Sequence, residues 1–150
     1  MKKPYTVFIT GASEGIGASI ARTLCSNGHN VFAFARSEAK LNDVKTSCLN
    51  MSGQLDFFAG DVTSNDDLQK ASNLCLTGFG KLDILIPNAG IGYFNPLNQG
   101  SIEEWESMID VNVTGVLRTI HATLPHLVKS KGHIINIGSV AARNIFPNSG

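Results

Sequence analysis

The sequence predicts a protein of the α/β class, in which helices cover both faces of a doubly wound parallel sheet. Two observations support this prediction. Short apolar runs alternate along the chain with longer segments whose apolar residues recur at helical spacing. The runs are apolar throughout, which is typical of strands buried on both faces. Strands and helices that alternate at this spacing form right-handed crossovers and therefore a parallel sheet.

Five apolar runs are predicted as strands, and they cover residues 5–10, 30–35, 55–59, 82–87 and 133–137. A doubly wound sheet of this kind is expected to have its strands in the order 3-2-1-4-5, which is the Rossmann-like arrangement. The residues after the fifth run are predicted as loop. The fifth strand is therefore expected to be an open apolar edge of the sheet.

The segments between the strands are predicted as helices, and most begin at a residue suited to N-terminal capping. The first helix follows a glycine-rich turn and extends to Gly28, while Ser37 precedes the second helix and Ser64 the third. Asp66 and Asp67 suit the positive end of the third helix. The inward-facing residues of the second and third helices are predicted to be Leu41, Val44, Cys48, Leu68, Ala71 and Cys75.

The longest helix is predicted to begin at Ser101, with Glu103 and Glu104 near its positive end. Its predicted inward stripe consists of Trp105, Met108, Ile109, Val113, Val116 and Ile120. Proline supplies no backbone donor and clashes with the preceding turn, so Pro125 is expected to kink or end this helix.

The composition indicates a soluble globular domain, because 43% of the 150 residues are hydrophobic and 16% are charged. Lys and Arg together number 12, as do Asp and Glu, so no basic excess favours a nucleic acid or a membrane surface as partner. No apolar run approaches the roughly 18 residues of a membrane span. The apolar stretch near the N-terminus is too short for a signal peptide.

The three cysteines, Cys25, Cys48 and Cys75, lie far apart and form no CxxC motif. We expect them to be small buried residues of a protein in the reducing cytoplasm. The four histidines lie in different elements or at unsuitable spacing, so the sequence predicts no metal site.

Small, polar or charged residues follow each of the five predicted strands. In chain order they are the segment 10–17, Arg36, the pair 61–62, the segment 88–90 and Ser139. Ligands of open parallel sheets bind beyond the carboxyl ends of the strands. The sequence therefore predicts one ligand site along this edge of the sheet.

The glycines after the first strand predict that the ligand carries a diphosphate. Gly11, Gly15 and Gly17 follow a G-x-x-x-G-x-G pattern, with Ser13 and Ile16 between them, where a helix begins. Glycine allows a sharp turn and leaves room for a phosphate beside the free amides of a helix N-terminus. The pattern lacks the Gly-Lys-Ser/Thr of a P-loop, which argues against a triphosphate hydrolase.

Four motifs, taken in order, resemble those of the short-chain dehydrogenases/reductases in their single-domain form. They are the segment 10–17, Asn88-Ala89-Gly90, Asn112 within the segment 111–115, and Ser139 within the segment 137–141. The resemblance covers the whole chain. It implies an oxidoreductase that transfers a hydride between a nicotinamide and a carbonyl or alcohol substrate.

The resemblance also implies how a cofactor is bound. In relatives that prefer NAD, an acidic residue ends the second strand and binds the ribose hydroxyls. Ala35 takes that position here and Arg36 follows it, and a guanidinium can pair with a 2′-phosphate through two hydrogen bonds. We therefore expect NADP(H) to be preferred over NAD(H); the alternative for Arg36 is a solvated surface position.

Two further segments acquire cofactor-binding roles through the same resemblance. Asp61 and Val62 are expected to border the adenine ring, and the alternative for Asp61 is a turn or cap. Asn88, Ala89 and Gly90 are expected to border the cofactor and to tie the central strands together, and the alternative is a purely structural role.

Asn112 and Ser139 are the expected catalytic residues. Helical spacing predicts that Asn112 lies on an apolar face with Ile109 and Val116, where a buried amide needs hydrogen-bond partners. The resemblance implies that Asn112 holds a water in a proton relay, and the alternative is a core residue that fixes the helix. Ser139 is implied to bind the substrate oxygen, and the alternative is a local cap.

The family's remaining catalytic pair, a Tyr-x-x-x-Lys motif, is expected beyond Gly150. We therefore interpret residues 1–150 as one incomplete dinucleotide-binding domain, truncated after the fifth strand and inactive alone. The alternatives are a catalytically inactive dinucleotide-binding module and a truncated remnant. Tyr93, Phe94 and Leu97 are expected to form an apolar wall for a small-molecule substrate, and the full-length protein is expected to be a homo-oligomer.

Overall fold

A computed structural model of the chain describes residues 3–96 and 98–144. Within this part, five strands form one sheet in the order β3-β2-β1-β4-β5, and all neighbouring strands are parallel. The strands are β1 Thr6–Thr10, β2 Asn30–Ala35, β3 Leu55–Ala59, β4 Ile84–Ile86 and β5 His133–Ile134. The predicted α/β class, the doubly wound topology and the strand order are confirmed.

The helices that connect the strands are α1 Gly15–Ser26, α2 Glu38–Cys48, α3 Asn65–Phe79, α4 Ile102–Ile109 and α5 Gly115–Ser130. A π-helical turn, Asp110–Thr114, joins α4 to α5. The predicted caps Ser37 and Ser64 accept backbone N–H bonds at the starts of α2 and α3, and Ser101, the predicted start of the long helix, does the same for α4. These caps define where the helices begin on the sequence.

Successive residues of each strand point to opposite faces of the sheet and so build two separate cores. On one face, Val7, Ile9 and Val31 pack with α1 and α2. On the other face, Phe8 and Phe32 pack with α3 and α5, and their rings stack with centroids 5.4 Å apart. Both faces of β1 and β2 are buried, which explains why these strands are apolar throughout.

The fifth strand is shorter than predicted. β4 ends at Ile86, because Pro87 follows and offers no backbone donor, and the regular ladder with β5 ends early as well. Backbone hydrogen bonds from Ile135 to Leu85 and from Ile137 to Pro87 continue the alignment. Among the described residues no strand pairs with the far side of β5, where Ile134 is 39% exposed.

The predicted inward stripe of the long helix is wrong at Ile109 and Val113, whereas Ile120 packs against the core that contains Phe8. Ile109 and Val113 are 59% and 55% exposed, and α4 has no buried residue. The π-helical turn contains a wider hydrogen-bonded ring than an α-helix, which rotates the helix that follows about its axis. The buried residues of α5 are instead Gly115, Thr119, Ala122, Thr123 and Leu127.

Threonine hydroxyls explain why hydropathy did not reveal the inward face of α5. Thr119 Oγ1 donates to the carbonyl of Gly115 at 2.7 Å, and Thr123 Oγ1 donates to the carbonyl of Thr119 at 2.8 Å. A hydroxyl that is satisfied within its own helix can be buried. On the facing helix α3, Ser72 Oγ donates to the carbonyl of Ala122 at 3.0 Å, which ties the two helices together.

Pro125 does not end the long helix, which was one of its two predicted effects. The helix continues to Ser130 and stops where Lys131 adopts the left-handed conformation, with φ of 55°. The carbonyl that loses its N–H partner at Pro125 belongs to His121. Both residues are exposed, so water can satisfy that carbonyl and the helix persists.

The three cysteines are buried, as predicted, and none forms a disulfide in the described part of the chain. Burial raises the pKa of the Cys25 thiol to about 12, with a smaller contribution from the neighbouring Cys48. Burial likewise raises the pKa of Cys75 to about 12, with a smaller contribution from the charge of Asp56. Both thiols therefore stay protonated at neutral pH.

We expect Cys25 and Cys75 to resist alkylation by iodoacetamide at pH 8 in the folded chain, because the thiolate is the reactive form. Peptide mass spectrometry should find both thiols labelled only after unfolding in urea. Labelling of the folded chain as fast as the unfolded chain would contradict the burial described above.

We expect Phe8→Ala to lower the free energy of unfolding by about 3–5 kcal/mol, because it empties the centre of one core. Leu49→Ala, at a side chain that is 70% exposed, is the control and should change this free energy by less than about 0.5 kcal/mol. Urea titrations followed by circular dichroism measure both changes. Similar effects of the two substitutions would be inconsistent with a core around Phe8.

Candidate functional site

A cleft of about 380 Å³ lies at the carboxyl ends of the strands, the edge where the sequence predicts a ligand. Eight of the residues predicted to bind a cofactor line this cleft, and they are Gly11, Ser13, Arg36, Asp61, Val62, Asn88, Ala89 and Gly90. Gly15, Ile16 and Gly17 are not among the lining residues and form the start of α1. The fold therefore brings together residues that follow β1, β2, β3 and β4.

Gly11 and Gly17 allow the glycine loop to pass close to the end of β4. A Cβ on Gly11, where φ is +65°, would lie 2.8 Å from the Cα of Ala89. A Cβ on Gly17 would lie 2.3 Å from the carbonyl oxygen of Gly11 and 2.6 Å from Nδ2 of Asn88. These distances leave no room for a side chain, so packing requires both glycines.

Gly15 has a different role, because the space around it is open. Its φ of +55° lies in the left-handed region that favours glycine, and apart from its chain neighbours and its own helix backbone no described atom lies within 4 Å of a Cβ built there. The N-cap residue Glu14 makes no side-chain capping bond to α1. The first amides of α1, at the positive end of the helix dipole, therefore border open space, and such a position favours an anion.

Asn88 fastens the glycine loop to the end of β4. Its Nδ2 donates to the carbonyl oxygens of Thr10, at 3.0 Å, and of Gly11, at 3.2 Å. In the opposite direction, Thr10 Oγ1 accepts hydrogen bonds from the backbone N–H groups of Asn88 and Ala89. The segment 88–90 thus ties two central strands together and also forms one wall of the cleft.

Arg36 lies on the cleft wall directly after β2. The preceding Ala35 ends the strand and is buried. Because this residue is an alanine, the position carries no carboxylate. Arg36 is exposed and has no ion-pair partner among the described residues. Ser37 and Lys40, at the start of α2, line the cleft beside it. This end of the cleft therefore holds two cations and the positive end of a helix.

Asp61 and Val62 line the cleft and also serve the local structure. The Asp61 carboxylate accepts hydrogen bonds from the backbone N–H and the hydroxyl of Thr63, each at 2.9 Å. This is the turn geometry that the sequence left open for Asp61. Val62 is buried against the core formed by α3 and α5. Both contacts hold the pair in place at the cleft.

Asn112 is exposed, so the prediction that it lies on a buried apolar face is wrong. The cause is the π-helical turn that contains it, which has no buried residue. Its side chain makes a two-point contact with Ile91, because Oδ1 accepts from the backbone N–H at 2.9 Å and Nδ2 donates to the backbone carbonyl at 2.8 Å. Ile91 lines the cleft, so Asn112 fixes the loop that follows β4.

Ser139 and the predicted apolar wall are not among the residues that line the cleft. Ser139 Oγ accepts a hydrogen bond from the backbone N–H of Ala141 at 3.1 Å, which is the local capping geometry that the sequence left open. Tyr93 and Phe94 are exposed, and Leu97 lies outside the described residues. The fold therefore brings most of the predicted cofactor-binding residues together in the cleft, whereas Ser139, a predicted catalytic residue, does not line it.

Several residues of the cleft were missed by sequence reasoning. The charged ones are Glu14 and Lys40, and the others include Phe34, Gly60, Ile91 and Val111. Lys40 follows the capping residue Ser37 and lies in the first turn of α2. The first turn of a helix that follows a parallel strand borders the carboxyl edge of the sheet, and that position was the available signal.

Within residues 3–96 and 98–144, no three His, Cys, Asp or Glu side chains come together in a group that could hold a metal ion. In the same part of the chain, no helix has both the length and the apolar character needed to cross a bilayer.

A doubly wound parallel sheet whose first crossover begins with glycines at a helix N-terminus is typical of the α/β domains that bind dinucleotides. The sequence agrees with this class, because residues 5–150 match the model of the short chain dehydrogenase family. The chain belongs to this family, and the predicted resemblance is confirmed.

Similar proteins support the assignment along the chain. An uncharacterized oxidoreductase of Staphylococcus saprophyticus is 39% identical over 143 residues, which are 94% of this chain and 61% of that protein. An alcohol dehydrogenase from the archaeon Thermococcus sibiricus, solved with 5-hydroxy-NADP, is 32% identical with a TM-score of 0.92, over 98% of this chain and 63% of that one. A carveol dehydrogenase from Mycobacterium avium, solved with NAD, is 28% identical with a TM-score of 0.90. The match covers 97% of this chain and 58% of that one. The chain thus spans about three fifths of the length of these relatives.

We expect Gly17→Ala to lower the free energy of unfolding by about 1–3 kcal/mol, because the new methyl group would overlap the Gly11 carbonyl and the Asn88 amide. Gly78→Ala is the matched control, since a Cβ at this helical glycine meets no atom within 4 Å. It should leave the stability unchanged or raise it by up to about 1 kcal/mol. Equal stability of the two variants in urea would show that the close approach at Gly17 is absent.

Proposed function

We propose that this chain is the cofactor-binding part of an NADP(H)-dependent oxidoreductase that transfers a hydride between a nicotinamide and a carbonyl or alcohol substrate. The open space at Gly15, beside the uncapped start of α1, is the observation that carries the proposal. The amides there can donate hydrogen bonds to a diphosphate. Membership of the short chain dehydrogenase family supports the reaction class.

The proposed preference for NADP(H) depends on Arg36. Ala35 offers no carboxylate to the ribose hydroxyls, whereas Arg36 offers a planar set of donors that matches a phosphate. The Thermococcus relative was solved with 5-hydroxy-NADP and the Mycobacterium relative with NAD, so similar folds occur with both cofactors. The choice between them in this chain is therefore attributed to the residues at the end of β2.

The other cleft residues have positioning roles in this proposal. Val62, with Asp61 held in its turn by Thr63, borders the adenine ring. The segment 88–90 borders the nicotinamide half of the cofactor, which supplies or accepts the hydride when bound. Asn112 fixes the neighbouring loop through Ile91, and its part in a proton relay remains a prediction from the family. Ser139, which follows the fifth strand, is proposed to hydrogen-bond the substrate oxygen.

The general acid–base of this reaction is expected in a Tyr-x-x-x-Lys motif, which the 150 residues do not contain. Tyr5 precedes β1, at the end of the sheet opposite to the cleft, where its ring lies 5.4 Å from that of His29. Tyr93 is followed at the required spacing by Leu97 instead of Lys. We therefore propose that these residues bind the dinucleotide without turnover, and that a protein containing the motif is the enzyme.

The second candidate function is a dinucleotide-binding module without catalytic activity. The position of Ser139 outside the cleft lining favours it. Both candidates predict binding by the 150 residues. The two candidates make different predictions for a longer reading frame. A carbonyl reductase requires the Tyr-x-x-x-Lys motif there, and a binding module does not.

The exposed face of α4 and α5 supports a homo-oligomer for the whole protein. Its apolar residues are between 44% and 69% exposed, and they include Ile109, Val113, Leu117, Leu124 and Val128. Contiguous exposed apolar surface is typical of interaction sites.

We propose a small-molecule substrate, no nucleic-acid or membrane partner, and a cytoplasmic location, where the buried thiols stay reduced.

We expect the chain to bind NADPH at least about tenfold more tightly than NADH in isothermal titration calorimetry, because a guanidinium–phosphate pair is a strong charge-assisted contact. Arg36→Ala should weaken NADPH binding by about 10–100-fold and NADH binding by less than about threefold. Arg22→Ala is the control, because Arg22 bonds Ser47 outside the cleft, and it should change neither affinity.

Two outcomes of this titration contradict the proposal at different levels. Equal affinities of the unmodified chain for NADPH and NADH would remove the preference for NADP(H) and leave the reaction class intact. Binding of neither dinucleotide to the folded chain would remove the proposed function itself.

A further inference from the structure

One ion pair lies on the wall of the cleft at its cationic end. Nζ of Lys40, on α2, lies 2.5 Å from Oε2 of Glu14, in the glycine loop. Both residues line the cleft together with Arg36. Among the described residues, the other ion pairs do not have both members in this cleft. The pair therefore joins the two segments that form the proposed phosphate-binding end.

The exposure of this ion pair argues that it contributes little to stability. The side chains of Lys40 and Glu14 are 54% and 70% exposed, and pairs as exposed as this are weak. Other contacts define the segments that the pair connects. Ser37 Oγ caps α2 by accepting from the backbone N–H of Lys40, and Asn88 holds the glycine loop. The ion pair can therefore open without a change in the fold.

We propose that Lys40 is a second cation for the 2′-phosphate of the cofactor, and that Glu14 occupies this cation until the phosphate displaces it. This inference rests on the proposed function and goes beyond the role of Arg36. Glu14 is then a built-in competitor of the phosphate. Its strength sets how much more tightly the cleft binds NADPH than NADH.

The charges at this end of the cleft favour the exchange. The ammonium of Lys40 is a compact charge with three donors, which suits a phosphate oxygen as well as a carboxylate. A phosphate monoester carries about 1.5–2 negative charges at neutral pH, whereas a carboxylate carries one. A hydrogen bond and the charge of Lys40 lower the pKa of Glu14, so the competitor is ionised at neutral pH.

The exchange acts on only one of the two cofactors. NADPH brings a phosphate that can replace the Glu14 carboxylate on Lys40, beside Arg36. NADH has a hydroxyl at the same position and offers no charge in return for opening the pair. Removal of the competitor should therefore raise the affinity for NADPH more than the affinity for NADH, which shares only the diphosphate.

Two substitutions and their combination test this inference, with NADPH and NADH as probes in isothermal titration calorimetry. Glu14→Gln should tighten NADPH binding by about three- to fivefold, the effect expected for one exposed ion pair. Lys40→Met should weaken NADPH binding by about tenfold, because it removes a charge-assisted contact. Both substitutions should change NADPH binding by at least about threefold more than they change NADH binding.

The double variant separates competition from a structural role of Glu14. If Glu14 acts through Lys40, Glu14→Gln should have no effect on NADPH binding in the Lys40→Met background. Lys40→Arg should retain most of the affinity for NADPH. Lys45→Met is the matched control, because Lys45 lies on the same helix and pairs with Asp56 outside the cleft. Circular dichroism establishes that each variant is folded.

The possible results distinguish this inference from the proposed function. If Glu14→Gln does not tighten NADPH binding, or if Lys40→Met alters both cofactors equally, the inference is wrong. The proposed function still stands in that case, provided that Arg36→Ala selectively weakens NADPH binding. If the unmodified chain binds neither dinucleotide, the proposed function and the inference are both wrong.

Discussion

The close approach of the glycine loop to the end of β4 is the constraint on which the rest of the site depends. Gly17, the carbonyl of Gly11 and the amide of Asn88 are packed so closely that no Cβ can be inserted. The Asn88 amide satisfies two carbonyls of this loop, so the chain passes from β1 into α1 without a side-chain cap on the helix. Packing thus leaves the first amides of α1 available to an anion.

The topology gives the two ends of the cleft different chemical character. The end of β2 and the start of α2 bring Arg36 and Lys40, with Glu14 opposite, so charge is concentrated there. The end of β4 brings amides and small residues, and Asn112 holds the loop beside them through Ile91. In the proposed function, the charged end faces the 2′-phosphate of the adenosine half and the other end faces the nicotinamide half. The site is therefore a property of the parallel strand order as much as of any one motif.

Much of this arrangement could be predicted from the sequence, because the strands, the capping serines and the glycine pattern are local signals. The inward face of α5 could not, because the π-helical turn rotates the helix and Thr119 and Thr123 are buried with their hydroxyls satisfied internally. Asn112 was misplaced for the same reason, since its spacing was counted along a regular helix. The pair of Lys40 and Glu14 depends on how two crossovers meet in space, which spacing along the chain does not reveal.

Titration of the ¹⁵N-labelled chain with NADPH, followed through its backbone amide signals, tests most directly whether the start of α1 binds the diphosphate. The largest shifts should belong to Gly15, Ile16 and Gly17, with smaller shifts at Arg36. The amides of Gly53 and Leu55, which lie away from the cleft, should not move. Unchanged signals of residues 15–17 at saturating NADPH, or shifts concentrated around residues 53–55, would contradict the binding site described above.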